Sequence, residues 1–567
     1  MPITNITIEN FKGVGSKVSI PLRPITLLFG ANSAGKSTIL QAMLYMRELL
    51  ERQNADVDVL LGCSDIINLG GFRELVHNHD LGRKVRIGVT MTVDDDGLPE
   101  YPIAHAENGE QLDFQTGSAT FPEAVKTVGI CLEVENHPIQ GPWISTYTVE
   151  INDAVQGSIT CQPGEAAKII IQPESCLCNL LLGRLDSEFY ESEEQEGEEN
   201  PDIEEDSEEA NGPIDPNRQA ILKELVEKML EYEKHKSAAE SLGNELMLSG
   251  EFFEYGGGVI PNFESGIKSL SVPAAISESE LIHSSYHRIL SQVFAGSGKL
   301  ILNELNRIRY IGPIRKIPSR NFSATRSISL DRWADGSAAW DILHKSSVEP
   351  DWLNKRQISE LNLGYRIQIY RHIEIPCETV LGGAIESVML GVGTESFDLD
   401  VIPSVEFKKL AVRSRLRLLT EETEIEVAPA DIGVGISQVL PIVIGAMAPG
   451  YSILSVEQPE LHIHPAIQCR LADLLAHQAL CNDERMMLLE THSEHLILRL
   501  LRRVRELNEG NLQPGDPEVR PQDLSILYVT SLPEGLEITE LPVTEDGDFA
   551  REWPRGFFGE RFEEYPD

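Results

Sequence analysis

The sequence predicts an α/β fold built around one strand, one glycine loop and one helix close to its start. The run Ile25-Thr26-Leu27-Leu28-Phe29 is short, apolar and rich in β-branched and aromatic residues, the pattern of a buried strand. It leads directly into Gly30-Ala31-Asn32-Ser33-Ala34-Gly35-Lys36-Ser37-Thr38, a G-x-x-x-x-G-K-S loop. From Ser37 onward, Ile39, Leu40, Met43, Met46 and Leu50 recur at helical spacing.

The residue types in the loop specify a ligand. Gly30 and Gly35 let the backbone turn so that successive N–H groups face one concavity, and the positive end of the helix dipole adds to it. Polyphosphate suits such a cradle, which Asn32, Ser33, Ala34 and Thr38 complete. Lys36 is expected to reach the outer phosphates as a point charge, and the Ser37 hydroxyl to be one ligand of Mg²⁺.

Composition sets the limits. A chain of 567 residues has room for about two to four domains. It holds no apolar run of membrane-spanning length, and Met1 to Ile8 lacks the layout of a secretory signal, so a cytoplasmic protein with no membrane contact is expected. The eight cysteines show no paired C-x-x-C spacing, which favours reduced thiols over a disulfide or zinc framework. Net charge is −42, and removing the 14 carboxylates between Asp186 and Glu209 still leaves 76 acidic against 48 basic residues. Broad non-specific binding of DNA or RNA is therefore disfavoured, because it depends on Lys and Arg displacing counterions; a local basic groove stays open.

Along the chain, Ile3 to Ile8 and Val18 to Leu22 read as strands joined through the turn Asn10-Phe11-Lys12-Gly13. An I-x-N-F-K-G start some twenty residues ahead of a G-x-N-x-x-G-K-S-T loop resembles ATPases of the SMC, RecF and OLD group. That resemblance implies an ABC/SMC-type P-loop ATPase head of two lobes, with ATP and Mg²⁺ as cofactors. The region Ile66 to His77, where such heads carry a Q-loop glutamine, offers none, and His77 and His79 are set aside as loop histidines. Val85 to Val93, Val128 to Val134, Ser145 to Ile151 and Lys168 to Ile171 read as strands of the first lobe.

A helical insertion follows, containing a disordered acidic loop over residues 186–216, an amphipathic helix from Gln219 to His235 and one or two helices between Glu280 and Ile308. It lacks the sustained heptads of a long coiled-coil arm. The expected organisation is lobe I over residues 1–175, the insertion over 176–305, and the return segment with lobe II over 306–567. Arg307, Arg309, Arg315, Lys316, Arg320 and Arg326 in the return segment, and Lys408 to Arg417 beyond it, read equally as patches facing phosphate or as internal ion pairs.

The last third carries the second half of the expected site. Asp431-Ile432-Gly433-Val434-Gly435-Ile436-Ser437-Gln438 precedes an apolar helix, and glycines at a helix start make an anion site. By resemblance it occupies the place of an ABC signature, implying that Gly433, Gly435, Ser437 and Gln438 reach nucleotide held by a second copy. The usual signature serine is displaced here, with Gly433 at its position. Tyr451 to Val456 is a buried-strand run ending in Glu457-Gln458-Pro459-Glu460, a Walker B layout in which Glu457 holds Mg²⁺. Gln458 stands where the resemblance places the water-activating glutamate; an amide orients water but takes no proton, which predicts slow turnover, with Glu460 the nearest alternative carboxylate. Leu461-His462-Ile463-His464-Pro465 resembles the turn after Walker B in OLD-type ATPases, an interface turn in preference to a metal site.

Met486 to Leu489 is a further buried strand, ending in Glu490-Thr491-His492-Ser493, and His492 matches an H-loop histidine sensing the γ-phosphate. Arg499, Arg502, Arg503 and Arg505 on the next helix are expected to form a solvated face. With GxGxSQVLP, EQPELHxHP and ETHSEHLxLR, the tail Trp553-Pro554-Arg555-Gly556-Phe557-Phe558 resembles a group of predicted bacterial and archaeal ATPases serving anti-phage defence or DNA-damage systems beside a separately encoded nuclease. The resemblance implies a homodimer around two ATP–Mg²⁺ that controls an effector. The alternatives are a RecF-like ATPase clamping DNA and an assembly scaffold that binds ATP without turnover.

Overall fold

The structure is a computed structural model describing residues 3–31, 34–52, 69–94, 97–101, 125–172, 175–177, 254–255, 259–267, 270–271, 287–319, 322, 324–325, 330–345, 361–390, 412–481, 485–533 and 535–551. The acidic run, the amphipathic stretch Gln219 to His235, Asn32, Ser33 and the W-P-R-G-F-F tail lie outside the described residues. The fold is α/β, as expected, and the chain forms two units. One comprises Met1–Leu22, Ser33–Asn306 and Thr530–Ile538; the other comprises Arg23–Asn32, Arg307–Val529 and Thr539–Asp567.

The first unit is built on a nine-stranded antiparallel sheet. Its strands are β1 (Ile3–Glu9), β2 (Val18–Pro21), β4 (Val85–Thr92), β5 (Thr127–His137), β6 (Gly141–Ile151), β7 (Ala154–Thr160), β8 (Ala167–Ile171), β9 (Glu254–Tyr255) and β10 (Leu270–Ser271), in the order β10-β9-β8-β7-β6-β5-β4-β1-β2. Ile6 and Ile8 in β1, Val85, Ile87 and Val89 in β4, and Ile130, Leu132 and Val134 in β5 alternate with more exposed neighbours, the buried Gly88 and Gly129 apart, so one face of the sheet carries the core. Helix α1 (Thr38–Arg52) packs on β1 and β4, and α2 (Ser297–Asn306) packs on α1 and β5. The expected helical stretch after Glu280 includes a buried π-helical turn, Ser291–Gly296, leading into α2.

The second unit holds a parallel sheet. Its strands β3 (Ile25–Gly30), β11 (Ile308–Ile311), β15 (Ile453–Glu457), β16 (Met486–Glu490) and β17 (Leu524–Leu532) run in the order β11-β15-β16-β3-β17. All six residues of β3 are buried, as a central parallel strand covered on both faces requires. Helices α4 (Val434–Met447), α5 (Pro465–Leu480) and α6 (Glu494–Asn508) contribute Val439, Ile442, Val443, Leu471, Leu475, Leu496, Ile497 and Leu500 to one core with Leu27, Phe29, Leu454 and Leu489. A smaller antiparallel sheet, β12 (Tyr365–Ile373), β13 (Val412–Thr420) and β14 (Glu426–Val427), joins that core through Ile367, Leu416 and Leu418 beside α3 (Ser337–Lys345). No helix among the described residues is long and apolar enough to cross a membrane.

Candidate nucleotide site

Three parallel strands of the second unit end at one edge of their sheet. β3 pairs with β16 in the register Leu28↔Glu490, and β16 pairs with β15 in the register Glu457↔Glu490. In β15 and β16 every residue but the last is buried, so each apolar run delivers one carboxylate, Glu457 or Glu490, to its carboxyl end. Gly30, Glu457-Gln458 and Thr491-His492 therefore emerge together, at the end of a parallel sheet where α/β folds place ligands.

The loop is set by its backbone. Gly30 has φ 148°, and a Cβ there would lie 2.2 Å from the Val529 carbonyl oxygen. Gly35 has φ 89°, where an L side chain is strained. The first turn of α1 then closes through Thr38 N donating to Gly35 O at 3.0 Å and Gln41 N donating to Ser37 O at 3.0 Å. Ala34, Lys36 and Thr38 are buried there and Ser37 is half-buried. In the same unit Lys12, from the Asn-Phe-Lys-Gly turn, donates through Nζ to Gln41 Oε1 at 2.6 Å, and burial lowers its pKa.

Glu457 is held by a residue that composition alone does not single out. The Tyr310 hydroxyl, at the end of β11, donates to Glu457 Oε1 at 2.9 Å. Burial first, and then the neighbouring Glu457, push the Tyr310 phenol well above its ordinary range, so it stays a donor. Gln458 sits at φ 45°, a left-handed conformation costing about 1–2 kcal/mol for a non-glycine residue. Two contacts fix this turn: Gln458 N donates to Glu490 O at 2.7 Å, and Arg315 Nη2 donates to the carbonyls of Glu457 at 2.6 Å and Gln458 at 3.2 Å.

Glu460 uses both carboxylate oxygens. Oε2 accepts from the Thr491 hydroxyl at 2.6 Å, and Oε1 accepts from His492 N at 2.8 Å. The carboxylate thus ties the turn after β15 to the strand end that carries His492. Ser493 caps α6 by accepting from Leu496 N, and its hydroxyl donates to Gln468 Oε1 at 2.6 Å. His464 caps α5 by accepting from Ala466 N through Nδ1.

At the start of α4, Gly433 is the N-cap with open space where a Cβ would stand, and Gly435 meets the turn after β15: a Cβ there would lie 2.6 Å from the His462 carbonyl oxygen. Ser437 is fully buried, and its hydroxyl donates to Val434 O at 2.7 Å. Gln438 is buried too, with its amide engaged by the main chain of Arg315.

The basic return segment divides on inspection. Arg309 is buried under the carboxyl end of α4, where it donates to the carbonyls of Gly445, Ala448 and Pro449 and lies over the rings of Trp333 and Tyr451. These are carbonyls that a helix end leaves without intrahelical partners. Arg315 is buried as well, and burial lowers both guanidinium pKa values to about 10. Lys316 pairs with Asp335 at 2.8 Å, whereas Arg320 and Arg326 lie outside the described residues. The expectation of a solvated arginine face on α6 is corrected in part: Arg502 and Arg505 are exposed as expected, but Arg503 is buried and paired with Asp473, Glu506 and Asp516, and Arg499 joins it on Asp473 at 2.6 Å. Acidic partners, two of them on other segments, cover Arg503 and much of Arg499 and leave the rest of the face to solvent.

Residues 1–118 match the family described as AAA ATPase domain. Compared with curated proteins, the chain has no match. Among solved structures it is similar to the Smc head domain with an extended coiled coil bound to the C-terminal domain of ScpA from Pyrococcus furiosus, at 10% identity and TM-score 0.35 over 95% of this chain and 96% of that one. It is also similar to the SMC head domain from Thermotoga maritima, at 9% identity and TM-score 0.34 over 96% of this chain and the whole of that one. At those scores the likeness is loose, and the α/β fold rests on the strand order and registers above.

Proposed function

We propose that the chain is a cytoplasmic ATP-binding, slowly hydrolysing ABC-type ATPase subunit that dimerises around two ATP–Mg²⁺ and controls a separately encoded effector, a nuclease in anti-phage defence. One observation carries the ATPase reading: the glycine-loop strand β3, the Glu457 strand β15 and the His492 strand β16 are parallel neighbours ending at one edge. The match of residues 1–118 to an ATPase domain supports it independently.

The donor set suits ATP–Mg²⁺. Loop amides from Gly30 to Thr38 and the Lys36 ammonium are phosphate donors, while the Ser37 hydroxyl and the Glu457 carboxylate are hard oxygen ligands for Mg²⁺. The bound metal would neutralise charge developing on the transferred phosphoryl group. Gln458 would orient the attacking water without taking its proton, and His492, anchored through Glu460, would contact the γ-phosphate. For the second copy's nucleotide we assign the glycine start of α4, the exposed Gly433 and the half-buried Gly435, ahead of the buried Ser437 hydroxyl. The effector and the defence role rest on the motif resemblance.

A second reading, an assembly scaffold that binds ATP without turnover, is favoured by Gln458 and by the altered signature, with Gly433 in place of the usual serine. Equilibrium ATP binding and steady-state turnover of the purified chain separate the two. Binding with slow, Mg²⁺-dependent turnover supports the ATPase, binding with none supports the scaffold, and absence of binding overturns both.

A further inference from the structure

We infer that Arg315 is a positioning residue that couples the signature helix α4 to the Gln458 turn; the inference rests on the ATPase reading above and adds a route of communication to it. Arg315 stands between the two segments and is bonded to both. On the helix side, Arg315 N donates to Gln438 Oε1 at 3.3 Å and Gln438 Nε2 donates to Arg315 O at 2.8 Å, so the Gln438 amide pairs with the Arg315 main chain as a neighbouring strand would. On the turn side, the guanidinium holds the carbonyls of Glu457 and Gln458, and Nη1 also reaches Gln438 O at 3.5 Å.

The choice of side chain is informative. Arg315 is 2% exposed, and a charge taken so far out of water is costly where packing alone is needed. The planar fork of donors serves carbonyls on two segments at once, which a lysine point charge does not reproduce. The turn it grips is the left-handed Gln458, fixed on its other flank by the bond to Glu490 O. A displacement of α4 that carries Gln438 must therefore carry Arg315, and with it the carbonyls that set the Gln458 conformation. Nucleotide arriving at Gly433 and Gly435 from a second copy is thereby reported to the water-orienting position.

The test uses the full chain with Arg315→Lys, Gln438→Leu and both together. Hydrogen–deuterium exchange is read in peptides covering 456–463, 434–440 and 486–490, alongside kcat and KM for ATP. We expect each single variant to raise exchange in 456–463 about tenfold, to leave 486–490 unchanged, and to lower kcat about tenfold with KM within about twofold; the double variant should add little, as coupled residues do. Unchanged exchange in 456–463, independent effects that multiply in the double variant, or exchange rising equally in 486–490 each overturn the inference, the last by marking a merely structural role. A wild type that neither binds nor hydrolyses ATP overturns the ATPase reading instead, and exchange in 456–463 still decides whether Arg315 couples α4 to the turn.

Discussion

Tyr310 and Glu457 are joined by a hydrogen bond of 2.9 Å from the phenol to carboxylate Oε1, linking the end of β11 to the end of β15. The phenol orients the carboxylate that we assign to Mg²⁺. A hydrogen bond to a charged acceptor contributes about 1.5–3 kcal/mol, so Tyr310→Phe is expected to raise the Mg²⁺ concentration for half-maximal turnover by about tenfold or more. ATP binding measured without Mg²⁺ should stay within about twofold of wild type. Because the Tyr310 pKa is raised, the donor stays protonated and the wild-type rate should show no alkaline limb from this group even at about pH 10, where an ordinary phenol ionises.

Gln458 sets the second prediction. A glutamate in its place supplies the proton acceptor that the amide lacks, and general base catalysis contributes about 10²–10⁴ in rate. Gln458→Glu is therefore expected to raise kcat at least about tenfold. Lys36→Ala should abolish ATP binding in either background. Steady-state phosphate release and equilibrium nucleotide binding check both.

What could be read from the sequence, and what could not, follows from the distance between interacting groups. β3, β15 and β16 were legible because an apolar run ending in glycine or a carboxylate is a local pattern, and the structure forms a strand at each. β7 was not: Ala154-Val155-Gln156-Gly157-Ser158 has weak strand character and depends on its neighbours, Gly157 lying so close to β8 that a Cβ would meet Ile170 O at 2.5 Å. The engagement of Arg309, Arg315 and Arg503 was illegible for a related reason. Arg309 and Arg315 read equally as phosphate-facing or ion-paired and Arg503 as solvated, because a charge's partners decide its place and theirs are remote, carbonyls more than a hundred residues away for the first two. Ser437 looked available as a hydroxyl at a helix start, but helical phase turns it into the core.

Glu460 gives a prediction that separates anchoring from catalysis. With one oxygen accepting from Thr491 and the other from His492 N, the amide of Glu460→Gln keeps one acceptor and turns an N–H either toward the His492 amide or toward the Thr491 hydroxyl, which then loses the acceptor for its own proton. A buried donor left unpaired costs about 1–3 kcal/mol, so chemical denaturation should report a loss of that order. Turnover should fall in the Gln458→Glu background as well, since His492 loses its anchor whichever residue supplies the base. Were Glu460 itself the base, turnover lost in the variant would instead be restored in the Gln458→Glu background.

The arginine network on α6 predicts how the protein responds to acid. Arg503 joins Asp473, Glu506 and Asp516 with its own side chain 4% exposed, and removing one member of a buried ion-pair set costs about 3–5 kcal/mol; Arg503→Ala should lose stability of that order in denaturant titrations at pH 7. Burial acts to raise the Glu506 pKa, but its hydrogen bonds to Arg502 and Arg503 outweigh it, and the folded-state value lies below the ordinary one. A carboxyl with a depressed folded pKa contributes stability that is complete above its unfolded value, about 4.3, and that is lost as pH falls through the folded value. Wild-type stability should therefore drop as pH is lowered from about 5 toward 3, and the drop should be shallower in Arg503→Ala, whose Glu506 has less to lose on protonation. A variant with the full acid sensitivity of wild type would place the sensitive carboxylates elsewhere, Asp335 beside Lys316 being the next to replace.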